Sequence, residues 1–194
     1  MRSDADVALM KTMGMVLLLS AFLTLAAVAC GGAGGSRFSL GQQITVDAQN
    51  LPQLAGEAHL RGQITVTFER VTVADSYNDD ICGGGNVTAK GKFVVVAYRV
   101  RNDAQARMQP ATQLGDEFLL VDGRGRQWQG ADSASDYCFI DANWAELFPG
   151  GEGPEHLIDP GFEGLTAVVF DVPNDAEQLT LQNSSLRFKV DLGL

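Results

Sequence analysis

The chain has 194 residues, 45% of them hydrophobic, which is enough for one domain that buries a substantial core of its own. Acidic residues number 24 against 14 basic ones, and the formal net charge is −10. An acidic surface repels phosphate groups, so this charge argues against nucleic acid as a partner and against electrostatic adhesion to anionic lipids. Attachment to a membrane would therefore need a separate anchor.

The N-terminal segment predicts export from the cytoplasm. An apolar run over residues 13–29 follows Lys11 and ends immediately before Cys30, which is the pattern of a secretory signal peptide. The run is short for a membrane-spanning helix, although a retained anchor helix is the alternative interpretation. Because a start at Met10 would give the usual basic beginning, residues 1–9 are interpreted as an over-extended start.

The end of the apolar run carries a lipidation signal. The sequence Ala26-Ala27-Val28-Ala29-Cys30 resembles the bacterial lipobox, in which the cysteine is diacylated and becomes the new N-terminus. The resemblance implies that residues 1–29 are a lipoprotein signal peptide and that Cys30 anchors the protein in the lipid bilayer. Residues 30–37 are then the lipidated cysteine and a glycine-rich tether. The expected location is the cell membrane, facing the extracytoplasmic side.

Two cysteines, Cys82 and Cys138, are left after lipidation of Cys30. Leftover cysteine pairs in exported proteins commonly form disulfides, so we predict a bond between these two. The bond would close a loop of 57 residues and stabilise the fold by about 4 kcal/mol in the chain-entropy model. Two buried free thiols are the alternative; a metal pair is disfavoured, because neither cysteine has a CxxC partner or a nearby histidine.

From Phe38 onward the chain shows the alternation and turn residues of short strands. Ile64, Val66 and Phe68 alternate with polar neighbours. The apolar parity then changes across Glu69, as it does at a β-bulge. We therefore predict a strand that continues through this point with a kink.

A nearly continuous apolar run over residues 93–100 predicts a central strand that is covered on both faces over its first half. Asp122 and Gly123 lie between two short strand patterns and predict a hairpin. Further strands are predicted at residues 165–172, 179–181 and 188–192. About seven to nine such strands predict an all-β domain over residues 38–194, an immunoglobulin-like antiparallel β-sandwich.

Four motifs follow one another along this domain. They are Lys90-Gly91-Lys92-Phe93 leading to Val100-Arg101-Asn102, Phe118-Leu119-Leu120-Val121-Asp122 with Gly125, Asp159-Pro160-Gly161, and Val169-Phe170-Asp171-Val172-Pro173. The series resembles the telokin-like, immunoglobulin-fold domain family of bacterial lipoproteins. Because that family is itself of uncharacterised function, the resemblance implies a fold and a location rather than an activity.

The sequence carries no recognisable signature of catalysis or metal binding. His59 and His156 are far apart in the sequence, and neither belongs to a hydrolase or zinc motif. The loop carboxylates lack the regular spacing of a calcium loop, so we interpret them as solvated charges. No catalytic residue, cofactor or metal site is predicted.

A long connection over residues 130–158 is unusually aromatic. The interpretation that we favour is a small local core pinned by Cys138, because a loop normally hides aromatic area. The alternative is a partner-binding surface formed by Tyr137, Trp144 and Phe148, with Trp144 or Phe148 exposed.

The leading functional prediction is a membrane-tethered extracytoplasmic lipoprotein with a non-catalytic binding domain for an unknown protein or envelope ligand. Two alternatives stay open. One is an extracytoplasmic hydrolase or carbohydrate-active enzyme that uses loop carboxylates. The other is a structural envelope protein or a calcium-dependent adhesin.

Overall fold

A computed structural model describes residues 35–54, 58–79, 85–130, 140–141, 143–145 and 156–194 of the chain. This part of the chain contains nine strands: β1 (Ser36–Ser39), β2 (Gln43–Asp47), β3 (Gly62–Asp79), β4 (Gly85–Ala104), β5 (Phe118–Val121), β6 (Gln127–Gln129), β7 (Glu163–Val172), β8 (Thr180–Asn183) and β9 (Phe188–Asp191). A short helix, α1, spans Pro110–Gln113, and two 3₁₀ turns span Ala48–Asn50 and Gly115–Glu117. Residues 140–141 and 143–145 are also helical. Among the described residues, no helix has the length and apolar character that crossing a bilayer requires.

The strands form two sheets. The first sheet has the order β1-β9-β8-β5-β6, and the second has the order β2-β3-β4-β7. The two sheets pack face to face, so the predicted all-β sandwich of seven to nine strands is confirmed. Every named pairing is antiparallel except that of β1 with β9, where Ser36 pairs with Phe188 in parallel register.

The parallel pair of β1 with β9 is the one departure from antiparallel pairing among the described strands. Parallel neighbours need a long connection, and β1 and β9 are separated by most of the domain. The tether boundary also moves, because Ser36 and Arg37 belong to β1. Ser36 and Arg37, which were assigned to the predicted tether, are therefore part of the sandwich, and ladder hydrogen bonds hold the chain from Ser36 onward.

The strands β3 and β4 form a long hairpin with two irregularities. The register shifts between Phe68 and Arg70, which leaves Glu69 as the extra residue, so the predicted bulge is confirmed. A second shift lies between Ala74 and Ser76. Within this second shift on β4, the backbone N–H of Lys90 donates to the Asp171 carboxylate at 3.1 Å, which ties this part of the hairpin to β7.

The main core fills the space between the two sheets. Its centre is a group of four buried aromatic rings whose neighbouring centroids are 5.4–6.2 Å apart: Phe68, Tyr98, Phe118 and Phe188. The Tyr98 hydroxyl donates to the carbonyl of Pro110 at 3.3 Å, so the polar end of this ring is also satisfied inside the core.

A second, smaller core lies on the outer face of the second sheet. Strands β4 and β7 present apolar side chains on that face as well, and Ile140 and Trp144 pack against them. The sheet residues of this outer core are Phe93, Val95, Ala97, Ala167 and Val169. The prediction that the run over residues 93–100 is covered on both faces in its first half is therefore confirmed.

Candidate functional site

The structure places one of the predicted surface aromatics in the outer core. Trp144 is only 8% exposed and packs with Ile140 and the outer face of β4 and β7. Of the alternative in which Trp144 or Phe148 is exposed, the part that concerns Trp144 is therefore wrong, because an apolar sheet face beside this residue would otherwise meet water. Tyr137 and Phe148 lie outside the described residues, as do Cys30, Cys82 and Cys138, and the predictions for these five residues stay predictions.

A different surface carries the geometry of a binding site. An open groove of about 570 Å³ lies on the outer face of the first sheet, and we call it the first-sheet groove. Its lining combines charged, amide and hydroxyl side chains with a few apolar ones: Arg37, Val121, Asp122, Gly123, Gln178, Thr180, Gln182, Lys189, Asp191, Gly193 and Leu194. A groove of this size and composition can hold a small polar ligand or an extended segment of a partner.

The alternation of the strands explains why this face is polar. On β1 and β9, Phe38 and Val190 pair with each other and point into the main core. Their neighbours Arg37 and Lys189 also pair with each other and point outward, into the groove. The next residue across the sheet from Lys189 is Gln182 on β8. One outward-facing row therefore presents two cations and an amide side by side.

The groove lining carries two cations, Arg37 and Lys189, and two carboxylates, Asp122 and Asp191. Neither Arg37 nor Lys189 makes an ion pair with a described residue, and like charges on directly paired positions repel each other. The nearby Asp191 uses one carboxylate oxygen to accept the backbone N–H of Gly193 at 3.1 Å. The groove therefore offers two cationic donors, Arg37 and Lys189, for a polar or anionic group, and a carboxylate, Asp191, beside them.

The hairpin between β5 and β6 forms one wall of the groove, and a buried carboxylate organises it. Asp122 accepts the backbone N–H of Arg124 at 3.0 Å and that of Arg126 at 2.9 Å. Its second oxygen accepts Nε of Arg126 at 2.7 Å. Gly123 approaches so closely that a side chain there would collide with Gln178. The predicted turn at Asp122-Gly123 is confirmed, and its backbone is fixed by these contacts.

The charges of this hairpin extend to a second carboxylate, Asp175. Arg124 Nη1 donates to it at 2.6 Å and Arg126 Nη1 at 3.0 Å. The guanidinium of Arg126 also lies 5.4 Å from the ring centroid of Trp128, within the range of a cation–π contact. Two arginines and two aspartates thus form one network at the rim of the first-sheet groove.

The network shifts the ionisation of its members. Burial alone would raise the pKa of Asp122, but hydrogen bonds from the Arg126 side chain and from two backbone N–H groups lower it below its usual value. The pKa of Asp175 is lowered mainly by its hydrogen bond from Arg126. A lowered folded-state pKa stabilises the fold above the unfolded value, and this contribution is lost as the pH falls through the folded pKa. The wall of the groove therefore stays ionised at neutral pH.

One histidine gains a partner that the sequence did not indicate. His156 Nε2 lies 3.3 Å from the Asp141 carboxylate, next to the segment that carries Trp144. The two residues are 15 positions apart, and no motif connects them. In the part of the chain that the structure describes, no group of three or more histidine, cysteine or acidic side chains is arranged to hold a metal ion.

Comparisons with known proteins find similar solved structures but no matching family. No protein-family model matches the chain, and no curated protein matches it at a significant level. The chain is similar to MPT63, a secreted protein of Mycobacterium tuberculosis, at 11% identity and a TM-score of 0.49, over 82% of this chain and 99% of that one. It is also similar to an uncharacterised β-sandwich protein of Clostridium difficile 630, at 9% identity and a TM-score of 0.48, over 85% and 99% of the two chains.

A conserved hypothetical protein of Bacillus anthracis is also similar, at 14% identity and a TM-score of 0.40, over 72% of this chain and 90% of that one. The architecture described above rests on the sheet order and strand register of this chain alone.

Proposed function

We propose that this protein is a lipid-anchored extracytoplasmic binding module, and that its ligand lies in the first-sheet groove. The observation that carries the proposal is the outward-facing row of Arg37, Lys189 and Gln182 in an open groove of about 570 Å³. A protein with a net charge of −10 that keeps two cations side by side has a local site suited to a negatively charged group. We propose that the ligand is polar and carries a carboxylate or phosphate.

The anchor is supported by the sequence at the start of the chain. The lipobox-like residues before Cys30 and the glycine-rich stretch after it fit a domain held at the extracytoplasmic face of a membrane. The order of the motifs in the domain, with its resemblance to the telokin-like lipoprotein family, supports the same location. A binding role without catalysis fits a site built from arginine, lysine and amide side chains on rigid strands.

The anchor is tested by mass spectrometry of the membrane fraction. We expect the mature chain to begin at Cys30 and to carry a lipid on that residue, and we expect Cys30→Ser to lose membrane attachment. The physical reason is that two acyl chains bury enough hydrocarbon for stable anchoring, whereas the acidic domain has no charge attraction for lipids. An unmodified Cys30 in a protein that retains residues 10–29 would contradict the proposal.

The groove is tested by site-specific photo-crosslinking in living cells. With a photoreactive residue at Gln182, we expect an adduct of defined mass, because this position lies between Lys189 and Leu119 on the outward face. Lys189→Glu should lower the yield of that adduct strongly, since it reverses a charge that contacts the ligand.

The matched control places the same photoreactive residue at Gln63. This glutamine is exposed on β3 of the second sheet, outside the groove. We expect no defined adduct there. Equal adducts from Gln182 and Gln63, or an adduct from Gln182 that Lys189→Glu leaves unchanged, would show that the groove is not the binding surface.

A further inference from the structure

Two large apolar side chains stand out from the surface at one end of the sandwich. Phe162 is 67% exposed and Leu157 is 50% exposed. Together with Asp159 and Glu163 they surround a shallow depression of about 170 Å³. An exposed aromatic side chain beside an exposed aliphatic one is typical of a surface that contacts a protein or a membrane.

The backbone beneath this pair is held firmly. The N–H of Asn102 donates to the carbonyl of Phe162 at 2.9 Å, and the N–H of Gly161 donates to the carbonyl of Asn102 at 2.6 Å. The Asn102 side chain is fully buried and donates to the carbonyl of Ile158 at 2.8 Å. The loop therefore presents Phe162 outward as part of a fixed structure.

The register of the second sheet locates this loop relative to the start of the domain. Ser36, the first residue of β1, lines a cleft with Asp47, the last residue of β2. Asp47 pairs with Gln63 near the start of β3, and that end of the sheet also contains the pair of Arg101 with Glu163. Phe162 immediately precedes Glu163, so Phe162 and Ser36 lie at the same end of the sandwich.

The chain between Cys30 and the domain is short. Five residue steps separate Cys30 from Gly35, and a fully extended chain of that length reaches about 18 Å. Strands β2 and β7 are three strand spacings apart in the second sheet, which is about 14 Å. A lipid on Cys30 would therefore keep the Phe162 end of the domain close to the bilayer surface.

The charges around the pair are compatible with a lipid surface. Arg107 Nε lies 2.7 Å from the Asp159 carboxylate, and Arg99 Nη1 lies 3.5 Å from that of Glu163. Asp159 is thus paired with Arg107, whereas Arg99 is shared between Glu163 and Glu69, whose carboxylate lies 2.7 Å from Arg99 Nε. These two arginines weaken the repulsion between this patch and anionic headgroups.

We infer that Phe162 and Leu157 form a membrane-contact patch that enters the interfacial region of the bilayer and orients the domain on it. The inference rests on the proposed lipid anchor, because a free domain with one such small patch would bind a bilayer only weakly. It places the Asp122 hairpin, at the opposite end of the first sheet, on the side away from the membrane. The first-sheet groove then opens toward the extracytoplasmic space.

The patch is tested with the full acylated protein, purified from membranes and reconstituted into vesicles of phosphatidylcholine and phosphatidylglycerol with bromine on the upper acyl chain. We expect Phe162→Trp to add a fluorescence signal that shifts to the blue and loses most of its intensity in these vesicles. An aromatic ring at the interface meets both the low polarity and the bromine quencher.

The matched control is Val73→Trp. Val73 is also apolar and 45% exposed, but its partner Val94 lies seven residues along β4 from Arg101, about 23 Å from the proposed contact end. Its added signal should show neither shift nor quenching. If the protein stays on the vesicles while Phe162→Trp behaves like Val73→Trp, the membrane-contact patch is wrong and the anchor still stands. Protein that does not stay on the vesicles would overturn the anchor and the patch together.

Discussion

Trp144→Ala is expected to lower the free energy of unfolding by about 3 to 5 kcal/mol, the usual cost of removing a large buried aromatic side chain. Trp144 packs with Ile140 against the outer face of β4 and β7. Its loss would leave a cavity over Val95 and Val169, two residues that are 2% exposed in the intact protein. Strand β4, whose two faces contribute to the two cores, would then be well covered on its inner face only.

The measurement is urea-induced unfolding of the full chain, followed by circular dichroism. Val73→Ala is the matched control, because it removes apolar atoms from the neighbouring strand at an exposed position and should change stability by less than about 0.5 kcal/mol. A loss of less than about 1 kcal/mol in Trp144→Ala would mean that its side chain is not held in the outer core.

Loss of the proposed Cys82–Cys138 disulfide is expected to cost about 4 kcal/mol, because the bond closes a loop of 57 residues and restricts the unfolded chain. The described residues near the two cysteines support the pairing. Tyr77 and Val87 precede and follow Cys82 on the β3–β4 hairpin, and both pack on the outer core to which Ile140, two residues after Cys138, also belongs.

Peptide mapping without reductant identifies the bond, and unfolding of the Cys82→Ala/Cys138→Ala double variant measures its contribution. We expect reduction of the parent protein to reproduce the lower stability of the double variant, since each change removes the same cross-link. Reductant should have no effect on the double variant itself. Free alkylation of both thiols in protein from an oxidising compartment would contradict the pairing.

The features that sequence predicted well are those that depend on neighbours along the chain. The alternation of Ile64, Val66 and Phe68 indicates which side of a strand meets the core, because side chains of a strand alternate between its two faces. The change of parity at Glu69 predicts the bulge for the same reason, and Asp122-Gly123 predicts the hairpin because glycine suits a tight reversal. Each signal is contained within a few residues.

Whether the aromatic segment over residues 130–158 is buried depends on residues far from it in the sequence. The residues of the connection raised two interpretations, and nothing within the segment decides between a local core and an exposed surface. Trp144 is buried because Phe93, Val95 and Val169 form an apolar face that would otherwise be in water. The apolar run over residues 93–100 predicted that such a face exists. Only the folded chain shows that the segment with Trp144 covers it.

The first-sheet groove could not be predicted from the sequence, because it depends on the pairing of strands from opposite ends of the domain. Alternation places Lys189 on an outward face, whereas Arg37 was assigned to the tether and belongs to β1 only in the structure. The two residues are 152 positions apart, and only the parallel pairing of β1 with β9 makes them neighbours. Local periodicity thus determined most of the strands, their inward faces and the all-β class, but not β1, because each of these signals depends on backbone geometry over a few residues. The tertiary structure alone decided the strand partners and hence the two adjacent cations, because pairing between distant strands depends on how the whole domain buries its apolar surface.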